Sequence, residues 1–282
     1  MAWLSHLLLD PLSIGFMQRA LAGGTIVAVI CGVVGTWVVI RGMAFLGEAV
    51  GHGMLPGVAT ATLLGAPVLL GGALSAVLMS ATIGALSRRG RLSYDTAIGL
   101  LFVAMLSLGV IIVSRSGSFA TDATSLLFGD VLAVRGRDLL TLAVALVVTL
   151  VATTVFHRAF VAAAFDARVA TTLGLRPGLA QAVLVGLVTL AVVASYQAVG
   201  TLLVLGLLLA PAVAAGQWTH RIPTTMALAS ALGAVSVLVG LLVSWHGGTA
   251  AGPTIAYAAV TTAAVSALAA RLTSTSTPER TS

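Results

Sequence analysis

Between Gly42 and Ser87 the chain carries one charged side chain, Glu48, and five other intervals carry none: Ala20–Ile40, Thr96–Ser114, Leu139–His157, Pro177–His220 and Ile222–Ala270. About 20 mainly apolar residues in a helix cross the hydrocarbon core of a bilayer. In lipid every backbone N–H and C=O must be satisfied within the protein, which a helix does by itself. These intervals therefore read as transmembrane helices. Ala20–Ile40, Thr96–Ser114 and Leu139–His157 are each one span long, whereas Gly42–Ser87, Pro177–His220 and Ile222–Ala270 each accommodate two. Glycine and proline punctuate such runs. They place the turns at Gly65-Ala66-Pro67 and from His246-Gly247-Gly248 through Gly252-Pro253, with a third turn expected near Tyr196-Gln197. The fold expected is all-α, a polytopic transmembrane helical bundle of about nine spans, or eight if one segment is re-entrant. Pro211, midway along an apolar run, should kink or end its helix.

Composition agrees. The chain is 59% hydrophobic and only 8% charged, too little charge to solvate a soluble surface of this size. The apolar character is uniform from Gly23 to Ala270, so one permease-like domain is expected over residues 20–271. An interfacial segment, 1–19, precedes it, and a polar tail, 272–282, expected to be disordered, follows. Met1–Phe16 has no basic leading region, which argues against a cleaved signal peptide. All 14 basic side chains are arginines, and they fall in short separators between apolar runs, as membrane flanks do. They do not point to nucleic acid. If Arg88, Arg89 and Arg91 are cytoplasmic, alternation puts ten arginines inside and four outside. The N-terminus is then outside and the C-terminus cytoplasmic. Cys31 is the only cysteine and reads as a small packing residue.

Glu48 and His52 are the chemistry-bearing pair. Residues i and i+4 share a helix face. An ionisable side chain inside a span is costly and by default faces a pathway or a partner. Carboxylate and imidazole together suit first-row divalent cations. The plainer reading is a hydrogen-bonded pair that fastens two helices.

Several stretches together resemble the membrane subunits of zinc/manganese-type ATP-binding-cassette importers. They are Phe16-Met17-Gln18-Arg19-Ala20-Leu21, Arg41-Gly42-Met43-Ala44-Phe45-Leu46-Gly47-Glu48-Ala49-Val50-Gly51-His52 with Leu55-Pro56-Gly57, and Leu127-Phe128-Gly129-Asp130-Val131-Leu132-Ala133-Val134. Further along come Ala164-Phe165-Asp166-Ala167 with Leu173-Gly174-Leu175, Val199-Gly200-Thr201-Leu202-Leu203-Val204 with Leu209-Ala210-Pro211-Ala212, and Gly252-Pro253-Thr254-Ile255. The resemblance implies an importer permease of the metal/vitamin B12 type in the cytoplasmic membrane. It would work as a homodimer on two cytoplasmic ATP-binding subunits and be fed by an extracellular metal-binding protein. The transported metal would pass Glu48 and His52 at the dimer axis, with zinc favoured narrowly over manganese, then iron, and no permanently bound cofactor. Here Glu48 stands where the family commonly has Asp, and Gly51 where it has Ser. The resemblance also makes the segment 158–177, with Phe165, Asp166, Leu173 and Gly174, the coupling element that docks on the ATPase.

Weaker metal candidates are Asp122, Asp130 and His246, for which a turn, a helix cap and an interfacial histidine beside Trp245 are the plainer roles. His157 and His220, each followed by an arginine, read as solvated helix ends. Asp166 should cap a short helix running through Thr172 and ended by Gly174. With no lysine there is no phosphate-binding loop ending in Lys-Ser/Thr, so ATP hydrolysis is assigned to a separate subunit. A permease for a siderophore, haem or cobalamin would need a wide aromatic cavity, whereas aromatics make up only 5% of the chain. A stand-alone ion-coupled transporter would be expected to show several midplane acids and internal repeats.

Overall fold

A computed structural model describes residues 13–88, 93–114 and 131–274. The apolar runs fold into helices α1 (Gly15–Ile40), α2 (Ala44–Gly53), α3 (Leu55–Leu63), α4 (Val68–Arg88) and α5 (Tyr94–Ser114). A 3-10 turn at Val131–Ala133 leads into α6 (Gly136–Phe165), followed by α7 (Ala167–Thr172), α8 (Pro177–Gly216), α9 (Ile222–Gly247) and α10 (Ala251–Ser274). No strand occurs among the described residues. Seven segments are long and apolar enough to cross a membrane: α1, α4, α5, α6, the first limb of α8 (Pro177–Tyr196), α9 and α10. The broken pair α2–α3 supplies an eighth apolar passage, since Ala44–Leu63 spans about one bilayer at 1.5 Å per residue. Leu203–Gly216, the second limb of α8, is a ninth segment but falls below span length.

Two interruptions shape the bundle. Pro56 has no N–H to give the His52 carbonyl and its ring crowds that carbonyl, so the second passage divides at Met54, one turn beyond Glu48. The second interruption is Gly200, with φ 73° and ψ 164°, a backbone conformation open to glycine. Gln181, near the start of α8, bonds to Arg41 and Met43. Leu208 and Ala212, past the interruption, pack beside Gly35 and Val39. Both limbs of α8 thus return to the Arg41 end of α1, and the chain reverses at Gly200. The reversal expected at Tyr196-Gln197 falls three residues later, where the glycine is. Beyond it the helix runs through Pro211 to Gly216 with no further departure from helical dihedrals. Pro211 therefore does not end the helix as expected.

Neighbouring helices touch through glycine, as in tightly packed membrane bundles. A Cβ at Gly35 would lie 1.9 Å from the Leu208 carbonyl oxygen, and one at Gly57 2.0 Å from that of Gly71. Cys31 is buried with its Sγ 3.8 Å from the Val204 carbonyl, the packing role expected of it. Gly24 and Gly32 face Val237 and Ser230, so α9 runs antiparallel to α1. Gly23 faces Leu139 and Leu142 while Trp37 packs on His157 and Phe160, so α6 runs parallel to α1. With these directions, Arg41, Arg88, Arg158, Arg168, Arg176, Arg221 and Arg271 gather toward one end of the described bundle. Arg19, Arg135 and Arg137 lie toward the other. His157 corrects one expectation. It is half-buried with its ring edge-on to Trp37, centroids 5.8 Å apart, and α6 continues past it to Phe165.

Candidate functional site

The local sequence builds α2 with two unlike faces. Leu46, Gly47, Ala49, Val50, Gly51 and Gly53 are buried, and a Cβ at Gly47 or Gly53 would collide with Leu208 or Met79. Glycine thus seats this side of α2 against α8 and α4. Ala44, Glu48 and His52, spaced by four, form the half-buried stripe left open on the opposite side. The shared face expected from the spacing is therefore present, and it points away from the protomer's own core. At 1.5 Å per residue Glu48 lies about 6 Å and His52 about 12 Å along α2 from Ala44. The His52 ring meets Phe102 of α5 edge-on, with centroids 5.4 Å apart and planes at 76°. Phe102 gives the imidazole a wall that the spacing argument missed, since its only signal is the register of a separate span.

Among the described residues no three His, Cys, Asp or Glu side chains come together to hold a metal. One protomer therefore offers an ion two side-chain ligands here. Of the weaker candidates, Asp122 and Asp130 lie outside the described residues. His246 sits exposed in the last turn of α9, its Nδ1 2.8 Å from the Leu242 carbonyl, at the end of the bundle remote from Arg41. Neighbouring Trp245 packs on Phe16, ring centroids 6.1 Å apart. A cavity of about 1480 Å³ opens between α4, α5, α6 and α8, lined by Val77, Tyr94, Gln181 and Val193 among others, and neither Glu48 nor His52 lines it.

Asp166 ends α6 and begins α7. Its Oδ1 accepts the Arg168 backbone N–H at 2.7 Å, and Gly174 follows α7 with φ 73°. Phe165 and Leu173 flank this short helix with side chains 84% and 66% exposed, two large apolar groups at an arginine-rich end. Replacing Asp166 by Ala should cost the cap about 1 kcal/mol. Hydrogen exchange at the α7 amides should then quicken about fivefold, and exchange at the wild-type rate would deny the cap its role.

Fold and site together define a polytopic helical membrane protein of the transport class, with an acid–imidazole pair on an open stripe of a broken span. The family model described as the ABC 3 transport family matches residues 13–270, and the chain belongs to that family. It is 38% identical to the manganese transport system membrane protein MntC of Listeria innocua over 82% of each chain. It is 34% identical to the manganese import system permease protein ScaB of Streptococcus gordonii, covering 85% of this chain and 86% of that one. A chain in the solved structure of PsaBC from Streptococcus pneumoniae in complex with Fab superposes with a TM-score of 0.80 at 29% identity, covering 92% of this chain and 94% of that one.

Proposed function

We propose that this chain is the membrane permease of an ATP-binding-cassette importer for a divalent transition metal, manganese before zinc or iron. The observation that carries the reading is the α2 stripe, where Glu48 and His52 are exposed beside otherwise buried positions and no third ligand joins them in the protomer. Two copies facing each other across a two-fold axis would offer two carboxylates and two imidazoles, a mixed set that favours a transition ion over calcium or magnesium. A site shared between copies can hold the ion briefly and let it go as the copies part, which conduction requires. Manganese comes before zinc, reversing the sequence-based preference, because manganese is in the names of the two relatives above.

The arginine-rich end is assigned to the cytoplasm, with the N-terminus outside and the C-terminus inside. There α7, with Phe165 and Leu173 as apolar knobs and Asp166 and Gly174 as its cap and stop, docks on a separate ATP-hydrolysing subunit. A delivery protein outside the membrane presents the metal. Residues 20–271 then form the permease domain, with 1–19 at the outer interface and 272–282 as a tail.

The test is to express the chain with its ATPase and to measure co-purification and ATP hydrolysis with Mn2+, Zn2+ and Fe2+ supplied through the delivery protein. Mn2+ should stimulate hydrolysis most, and no response to any of the three would refute the reading. In the same preparation Leu173→Asp, which sets a charge into the apolar docking contact, should weaken ATPase retention by about 100-fold, the scale of an interface anchor. Undiminished co-purification would remove α7 from the contact.

A further inference from the structure

The turn between α1 and α2 is held by groups far away in sequence. Arg41 occupies this turn, and Gly42, at φ 66°, lets it be tight. The Arg41 guanidinium donates to the carbonyl oxygen of Ala163 and to the side-chain oxygen of Gln181. The Gln181 amide in turn donates to the Met43 sulfur at 3.1 Å. Ala163 lies in the last turn of α6, just before Phe165 and Asp166, and Gln181 lies in the first turns of α8, just after Pro177. The two acceptors thus bracket α7 in the chain. Both are neutral oxygens, so the cation is held by a fork of hydrogen bonds, which guanidinium geometry suits and an ammonium cannot reproduce. Burial, opposed by neighbouring Tyr94, lowers the Arg41 pKa from its ordinary value, but an arginine starts high enough to stay charged.

We propose that Arg41 is a positioning residue that ties the α7 docking segment to the helix bearing Glu48 and His52, so that movement of the ATPase reaches the metal pair. This rests on the importer reading above and goes one step beyond it. Arg41 is three residues ahead of α2, and Glu48 follows within the next two turns. The guanidinium is gripped from both sides of α7, so a rigid displacement of that segment must pull on the α1–α2 turn or break the fork. The turn cannot yield easily at its own base, because the Arg41 and Met43 amides are bonded to the Trp37 and Val38 carbonyls, each at 3.0 Å. The glycine face of α2 lies directly on Leu205 and Leu208 of α8, so the pull should shift α2 as a body relative to its neighbours. A basic side chain serving only as a membrane flank would need none of these bonds.

The test uses the complete complex in proteoliposomes, with ATPase and delivery protein, and measures Mn2+ moved per ATP hydrolysed. Arg41→Gln should leave hydrolysis near the wild-type rate while metal moved per ATP falls about tenfold, the scale of one charge-assisted hydrogen bond. Arg41→Lys keeps the charge without the fork and should recover only part of the ratio. Gln181→Leu removes one acceptor and should lower the ratio in the same direction. If Arg41→Gln does not assemble, the Lys and Leu variants carry the test. An unchanged ratio in the assembled variants would overturn the proposal, as would hydrolysis and transport falling in parallel. A wild-type complex that hydrolyses ATP without moving Mn2+ would instead refute the importer reading itself.

Discussion

Glu48→Ala or His52→Ala should reduce manganese accumulation by more than about 100-fold in cells that depend on this transporter, because changes merely behind a metal ligand already cost 10- to 100-fold. Each substitution removes one ligand from both copies, which halves the set of four. Protein levels in the membrane should hold, since the two side chains lie on the open stripe of α2 and anchor nothing in the protomer's packed core. Glu48→Asp returns the shorter carboxylate of the related importers and should keep transport, with a changed order of preference among Mn2+, Zn2+ and Fe2+. Uptake measured with radioactive manganese decides the matter. Wild-type accumulation in both alanine variants would mean that the pair only fastens helices.

The second large effect concerns stability. Gly35→Ala should destabilise the protein by about 3 kcal/mol, at the upper end of what overpacking costs. The new methyl would sit 1.9 Å from the Leu208 carbonyl oxygen, and that atom belongs to a backbone with no side-chain freedom to yield. Gly84→Ala is the matched control, since nothing lies within 4 Å of a Cβ there. Thermal unfolding in detergent should separate the two variants clearly, and equal midpoints would show that α1 and α8 can part at no cost.

The spans were legible because each apolar run is long, free of charge and bounded by arginine, glycine or proline, which is the signal a bilayer imposes. The shared face of Glu48 and His52 was legible for the same local reason, since a spacing of four needs no knowledge of partners. The reversal in α8 was displaced from Tyr196-Gln197 to Gly200 because polarity marks where a turn is tolerated, whereas φ 73° marks where one is possible. His157 was misjudged because the arginine after it suggested a helix end, yet α6 carries both residues past Trp37. Illegible altogether was the fork at Arg41, whose acceptors lie 122 and 140 residues away in sequence. Contacts at that range depend on which ends of α6 and α8 meet, and apolar periodicity carries no record of it. Side-chain hydrogen bonds within a turn or helix, such as that from Asp166 to the Arg168 amide, are local and could be read directly.

Pulsed electron paramagnetic resonance on the assembled complex, loaded with one Mn2+ per pair of permease copies, tests the central claim most directly. Imidazole nitrogen bound to the ion leaves a nuclear modulation that carboxylate and water oxygens do not. The account predicts that modulation in the wild type and its disappearance in His52→Ala, while a nitrogen signal unchanged by His52→Ala, or absent from the loaded wild type, would contradict it.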